Sequence, residues 1–306
     1  MQGIAISLFL VALIIYFTIS SDRFFTYDNM ITILTAVSVL GIVTVGQCLT
    51  IISGGFDLSV GGVVPLGAVV FAKVVNGGTP VGVAILLAVI LGGVIGLING
   101  LVISRLKINP LIATLAMLSI AGGIAYSVVG GQNIAIENPS ASILSDAWVA
   151  DVPNQVWILA IITVAAWLVL NRTVVGRAIF AVGGNREASW LAGMRVDLIT
   201  TCVYVACGAL AAFAGTIMAS ELLSADGGLG SDSALTSISA VILGGASLSG
   251  GVGSVLGAIV GILILGVLNN GLVLLNVSAF YQDIITGVVL LLAVGLVSLR
   301  GRLLSR

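Results

Sequence analysis

Long apolar runs separated by short polar breaks repeat along the whole 306-residue chain. A helix that spans a membrane needs about 20 mostly apolar residues, and the breaks cut the chain into ten pieces near that size. They cover approximately residues 3–20, 30–52, 58–74, 81–103, 110–129, 154–170, 198–219, 234–248, 253–275 and 280–299. The pattern predicts an all-α, polytopic integral membrane protein with a single transmembrane domain over 1–306. The first run does not read as a cleavable secretory signal, because Met1-Gln2-Gly3 carries no basic residue and the run is too long.

Two pieces, 58–74 and 234–248, are short and bordered by glycine-rich breaks: Ser53-Gly54-Gly55-Phe56-Asp57 and Gly244-Gly245-Ala246-Ser247-Leu248-Ser249-Gly250-Gly251. Non-helical backbone at membrane depth survives only where protein or a watery cavity satisfies it. A broken segment in each half points to two pseudo-repeat halves with a pathway between them; ordinary tight turns at the membrane surface are the alternative. Glycines four apart (Gly92, Gly96, Gly100 and Gly253, Gly257, Gly261) let backbones approach closely and predict helix packing.

Composition agrees with the pattern. Hydrophobic residues make up 59% and charged residues 8%, and mean hydropathy is +1.27, whereas a soluble domain carries about 25% charged residues. Eleven basic against twelve acidic residues give a net charge of −1, so no basic field exists to hold nucleic acid. The chain has no histidine, and Cys48, Cys202 and Cys207 sit in apolar stretches without metal-ligand spacing. Neither Lys73 nor Lys107 follows a glycine, so no Gly-Lys-Ser/Thr phosphate loop is present and the chain cannot hydrolyse ATP by itself. No paired nucleophile and base appears either. Few ionisable residues lie inside the runs; Asp57 is the main one, open to two readings as a helix cap or a pathway residue.

The basic residues also orient the chain. Arg105, Lys107, Arg172, Arg177, Arg186, Arg195, Arg300, Arg302 and Arg306 fall on one side of ten alternating spans, leaving only Arg23 and Lys73 opposite. The positive-inside rule makes that side cytoplasmic and puts both termini there.

The largest cytoplasmic loop, about 171–197, holds the most specific short signal. Asn185 is suited to cap a helix over Arg186-Glu187-Ala188-Ser189-Trp190-Leu191-Ala192, with Glu187 in the first turn and Gly193 as the stop. About 12–15 residues are needed for stability alone, so this helix must dock, either on the chain's own helices with Trp190 at the lipid interface or on a cytoplasmic partner.

From about residue 30 to 300 the sequence resembles the membrane permease of a ribose-type ABC importer. The resemblance rests on Ser53-Gly54-Gly55-Phe56-Asp57-Leu58-Ser59-Val60-Gly61, on Gly176-Arg177, on Gly183-Gly184-Asn185-Arg186-Glu187-Ala188 to Gly193, on Val241-Ile242-Leu243-Gly244-Gly245, on Gly250-Gly251-Val252-Gly253, and on Asn270-Gly271-Leu272 with Phe280-Tyr281-Gln282. It implies a permease of the bacterial inner membrane that pairs with a second permease chain, receives a monosaccharide from a periplasmic sugar-binding protein, and binds cytoplasmic ATPase subunits that carry ATP and Mg; the chain itself needs no cofactor. Residues 185–193 would be the ATPase-coupling helix. Gly54, Gly55, Asp57, Ser59, Asn269, Asn270 and Gln282 become candidates for the pathway or its gate, the last three rivalled by plain helix-to-helix hydrogen bonding. Ala234 and Thr236 replace an acidic pair usual in the family, Phe56 replaces Ile, and Ser189-Trp190 replaces Ala-Arg. These departures leave open the sugar and the choice of homodimer or heterodimer. The rival reading is a secondary transporter of a small polar solute that needs no ATPase.

The orientation is checked with single cysteines placed in 172–197, 131–153 and 220–233 on a background lacking the native three. An impermeant thiol reagent should label the first set from the cytoplasmic side and the other two from outside.

Overall fold

The computed structural model describes residues 2–145, 148–282, 284–289 and 291. Its helices are α1 (Gln2–Ser20), α2 (Tyr27–Ile52), α3 (Val60–Asn76), α4 (Val81–Ser104), α5 (Pro110–Val129), α6 (Asn154–Arg172), α7 (Val174–Gly184), α8 (Arg186–Leu191), α9 (Val196–Leu222), α10 (Ser233–Leu243) and α11 (Val255–Leu274), with more helix from 279 onward. Six of these, α2, α4, α5, α6, α9 and α11, are long and apolar enough to cross a membrane. The other expected spans fall on α1, which at 19 residues equals α6 in length, on the shorter α3 and α10, and on 280–299, where residues 283, 290 and 292–299 lie outside the described residues, as do Asp146, Arg300, Arg302 and Arg306.

Burial separates the helices into two layers. In their most apolar windows α2 and α9 are 67% and 61% buried, whereas α4, α5 and α6 are 28%, 22% and 11% buried. The outer helices expose Leu86, Ile90, Leu97, Leu111, Leu115 and Ile161. Water would penalise that much apolar surface and lipid does not, so these faces meet hydrocarbon. α3 is buried along most of its length and, wrapped by α4, α5 and α9, need not satisfy lipid at all.

Glycines set the distance between layers. α4 packs most extensively on α9. A Cβ on Gly92 would strike the Gly208 carbonyl, one on Gly96 the Tyr204 carbonyl, and one on Gly100 would come within 2.7 Å of the Thr201 Cα. The four-residue spacing read in the sequence is thus the α4–α9 seam. Gly257 and Gly261 do the same against Gly244 and Ala240.

Two expectations are corrected. Residues 174–184, read as loop, form α7, whose valines and isoleucine face both solvent and core; eleven residues are too few to show as a span. The segment 234–248 is helical only to Leu243, because Gly245 takes a φ of +91° and ends it. The breaks also differ in placement, one preceding α3 and the other following α10.

Residues 131–145 and 148–153 fold into a cap. Strand β1 (Ile134–Ala135) pairs antiparallel with β4 (Ser224–Ala225), a 3₁₀ turn covers Pro139–Leu144, and β2 (Trp148–Val149) pairs with β3 (Val152–Pro153) around Ala150 and Asp151, both at positive φ as in a type I′ hairpin. Asn76 donates to the Ala135 carbonyl (2.7 Å) and Ser220 to that of Ala141 (2.5 Å), which ties the cap to α3 and α9.

Gly208→Val should push α4 off α9 and cost about 1–3 kcal/mol, the range for overpacking, read as a fall in the thermal unfolding temperature of detergent-purified protein. Gly123→Ala, at a helix position where a Cβ meets nothing within 4 Å, should instead leave stability equal or raise it by up to about 1 kcal/mol.

Candidate functional site

Three segments far apart in sequence meet at one point: the first break after α2, the end of α7, and the second break after α10. Both breaks begin with the same helix stop. In α2, Gly54 N–H donates to Ile51 and Gly55 N–H to Thr50; in α10, Gly245 N–H donates to Ile242 and Ala246 N–H to Val241. Each stop satisfies end carbonyls through a residue of positive φ, Gly54 at +85° and Gly245 at +91°. The Ile52 carbonyl is then taken by the Gly251 N–H at 2.9 Å, which joins the breaks directly.

α7 is wedged into that joint. A Cβ on Gly183 would collide with the Ile52 carbonyl and lie 2.7 Å from the Gly251 nitrogen; one on Gly250 would lie 2.7 Å from the Gly54 Cα and 2.8 Å from the Gly183 carbonyl. Only backbones without side chains can approach so closely.

Beyond the first break the chain is held by buried polar side chains. Asp57 is fully buried; its Oδ1 accepts from the Ser59 hydroxyl (2.5 Å) and N–H (3.0 Å), and Asn99 of α4 donates to the Ser59 hydroxyl at 2.8 Å. With its amide oriented to suit the groups it faces, Gln47 donates to the Asp57 carbonyl (3.1 Å) and accepts from the Asp57 N–H (3.2 Å). Tyr204 of α9 donates to the Phe56 carbonyl at 3.0 Å. The irregular backbone is therefore satisfied by Gln47 of α2, Tyr204 of α9 and the Asp57 carboxylate, while Asn99 of α4 holds the Ser59 side chain. Asp57 has no cationic partner: among the described residues the one ion pair is Arg186–Asp197.

α8 starts directly after the joint. The Asn185 side chain accepts from the Ala188 N–H at 2.8 Å, so the expected cap is present. At the other end Gly193, at φ +79°, donates to the Trp190 carbonyl and Met194 to that of Ser189. Arg186 binds Asp197 at 3.0 Å and also contacts Thr200 of α9, an exposed pair that contributes about 0.2–1 kcal/mol and fixes direction more than stability. Ser189 alone turns inward. Ala188 and Glu187 are exposed, and Trp190 and Leu191 are 68% and 72% exposed, so the chain's own helices do not cover this apolar surface.

The remaining pathway candidates do not join this site. Asn270 exchanges amide hydrogen bonds with Asn29 of α2 at 2.8 and 3.0 Å, which is the helix-to-helix reading. Gln282 donates to the Val277 carbonyl at 2.7 Å, and Asn269 is exposed near the end of α11. Gln47, Asn99 and Tyr204 were missed by sequence reasoning. An amide inside an apolar run, as at Gln47 and Asn99, was the available signal.

A helical bundle with lipid-exposed outer helices, polar-satisfied breaks inside it and an uncovered surface helix defines a polytopic membrane protein. The chain belongs to the family described as branched-chain amino acid transport system / permease component, which matches residues 29–294. It is similar to the ribose import permease protein of Escherichia coli (strain K12), 40% identical over 292 residues covering 93% of this chain and 90% of that protein. It is similar to the ribose import permease protein of Bacillus subtilis (strain 168), 37% identical over 96% of this chain and 92% of that one. The L-arabinose transport system permease protein of Escherichia coli (strain K12) is 39% identical over 89% and 83%. No solved structure matches the chain.

Asp57→Asn keeps the acceptor that Ser59 uses and removes an unpaired buried charge, so protein yield and thermal stability should equal or exceed the parent's. Asp57→Ala leaves the Ser59 donors unmet and should destabilise by about 1–3 kcal/mol. Loss of transport by a stably folded Asp57→Asn protein would show that the charge itself acts in the pathway.

Proposed function

We propose that this chain is the permease subunit of an ATP-driven ABC importer and forms the translocation pathway for a monosaccharide, ribose-like or related. Its similarity to ribose and arabinose permeases over most of its length supports the sugar. The observation that carries the mechanism is α8: a helix too short to stand alone, fixed at both ends, presenting Ala188, Trp190 and Leu191 outward, and rooted through Gly183 and Gly184 in the joint of the two breaks.

In this reading α8 docks on a cytoplasmic ATPase subunit that binds ATP and Mg. Movement of α8 bears on Gly183, and so on the Ile52–Gly251 contact where the breaks meet. Because close-packed backbones shift together rather than deform, the push reaches α2, α3, α10 and α11. A periplasmic sugar-binding protein delivers substrate at the opposite end, a second permease chain completes the pathway, and both termini face the cytoplasm of the inner membrane. A secondary transporter would leave the exposed face of α8 without a purpose.

The test is co-purification with the ATPase and substrate-stimulated ATP hydrolysis in vesicles. Ala188→Arg places a bulky charge at the docking face and should abolish both association and transport while insertion stays intact. Trp190→Ala should weaken ATPase affinity by about tenfold, or ~1.4 kcal/mol. Gly193→Val resists positive φ and should misdirect the helix end. Unchanged association and stimulation in Ala188→Arg would overturn the assignment.

A further inference from the structure

The chain turns from α6 into α7 at a single residue, Thr173. Its hydroxyl donates to the Val169 carbonyl at 2.6 Å and accepts from the Gly176 N–H at 3.2 Å, so one side chain ends α6 and caps α7. A Cβ on Gly176 would strike the carbonyls of Leu170 and Val169. α7 therefore lies directly against the last turn of α6, at the level where that span leaves the membrane.

The outer surface of this elbow is apolar. Along α6, Ile161, Val164, Leu168 and Val169 are exposed and belong to the face that meets hydrocarbon. Just past the elbow Val174 and Val175 follow, 71% and 57% exposed, while Ile179 and Val182 turn inward. Water would penalise two bare valines, and the chain's own helices do not cover them.

The same stretch carries charge of one sign. From residue 152 to residue 186 the sequence holds Arg172, Arg177 and Arg186 and no aspartate or glutamate. Arg186 pairs with Asp197, whereas Arg172 and Arg177, both exposed, form no ion pair among the described residues. The Arg172 guanidinium lies over the Trp167 ring, 5.7 Å from its centroid. Tryptophan is favoured at the membrane–water boundary, and a guanidinium stacked on a ring still offers its in-plane N–H donors.

Exposed valines beside a lipid-facing span call for acyl chains, and two unpaired guanidinium groups at its edge call for an anion held at that depth. An anionic phospholipid has both in one molecule. We infer that the α6–α7 elbow is a docking site for an anionic phospholipid of the cytoplasmic leaflet. Arg172 and Arg177 bind its phosphate, and Val174 and Val175 sit among the first carbons of its acyl chains. A free phosphate would leave the valines in water, and a zwitterionic lipid carries its own ammonium beside the phosphate. The lipid thereby anchors the start of the helix whose far end, Gly183, meets Ile52 and Gly251 in the joint. The leaflet rests on the cytoplasmic placement of α8 proposed above; the elbow site itself does not depend on the substrate.

The experiment reconstitutes the full chain in phosphatidylcholine vesicles containing equal fractions of either brominated phosphatidylglycerol or brominated phosphatidylcholine. Trp148, Trp157 and Trp190 are replaced by phenylalanine, so that Trp167 is the sole indole and bromine beside it quenches its fluorescence. These tryptophans, both arginines and Val174 are exposed, so their replacement does not threaten the fold. Quenching should show phosphatidylglycerol enriched about fivefold or more over phosphatidylcholine, as two basic residues at an anionic surface require. Arg177→Gln leaves the Trp167–Arg172 contact in place and should cut the enrichment several-fold; Arg177→Lys should retain most of it, and Arg172→Gln with Arg177→Gln should remove it. With Trp167 also replaced and Val174→Trp as the sole indole, both brominated lipids should quench. Equal quenching of parental Trp167 by the two lipids, or enrichment that survives the double arginine variant, would overturn the lipid site. Quenching of the Val174→Trp protein by acrylamide and by neither lipid would place the valines in water and overturn the docking surface. Enrichment abolished by inorganic phosphate alone would make the elbow a phosphate site and overturn the lipid reading. Loss of both lipid responses when the ATPase is added would hand this face to that protein and overturn it as well. A reversed orientation would appear in the cysteine labelling and overturn the leaflet, with the quenching unchanged.

Discussion

Backbone N–H and C=O groups inside hydrocarbon have no water to bind, and every one left unpaired costs several kcal/mol. This protein breaks two helices within its bundle and still meets that constraint. It does so by ending α2 and α10 with the same glycine stop, by donating the Gly251 N–H to the Ile52 carbonyl, and by lending Gln47, Tyr204 and the Asp57 carboxylate to the backbone of residues 56–59. The close approach of Gly54, Gly183 and Gly250 is a consequence. Three backbones can share the donors and acceptors of one small volume only if no side chain keeps them apart.

The rest of the architecture is arranged around that joint. α2 and α9 are buried and carry the polar groups that satisfy the break, while α4 packs over α9, α6 over α2 and α5 over α3, and all three turn leucine and isoleucine to lipid. Because lipid is as apolar as the helices themselves, burial of apolar surface cannot draw these layers together; close packing and interhelical hydrogen bonds must. The Gly92–Gly96–Gly100 seam supplies the first. Pairs such as Asn29–Asn270 and Ser104–Thr201 supply the second, at about 0.6 kcal/mol each on average.

The two ends of the bundle are specialised differently. At one end glycine removes bulk, so that three backbones lie in contact and α8 starts directly from their junction. At the other, a folded cap is tied to α3 by Asn76 and to α9 by Ser220.

Features whose cause is local were legible in the sequence. The apolar runs placed α2, α4, α5, α6, α9 and α11 within a few residues, because lipid demands length and apolarity from each helix separately. Asn185 and Gly193 marked the ends of α8 because caps are set by near neighbours. α7 escaped notice, since eleven amphipathic residues resemble neither a span nor a loop. The glycine motifs were visible, yet nothing in one dimension showed that residues near 54, 183 and 250 touch. Nor could it show that Gln47 and Tyr204 satisfy the backbone at 56–57, or that Asn270 is spent on Asn29. Those relations depend on which helix faces which, and that is decided by pairing polar groups and fitting glycines across the whole bundle at once.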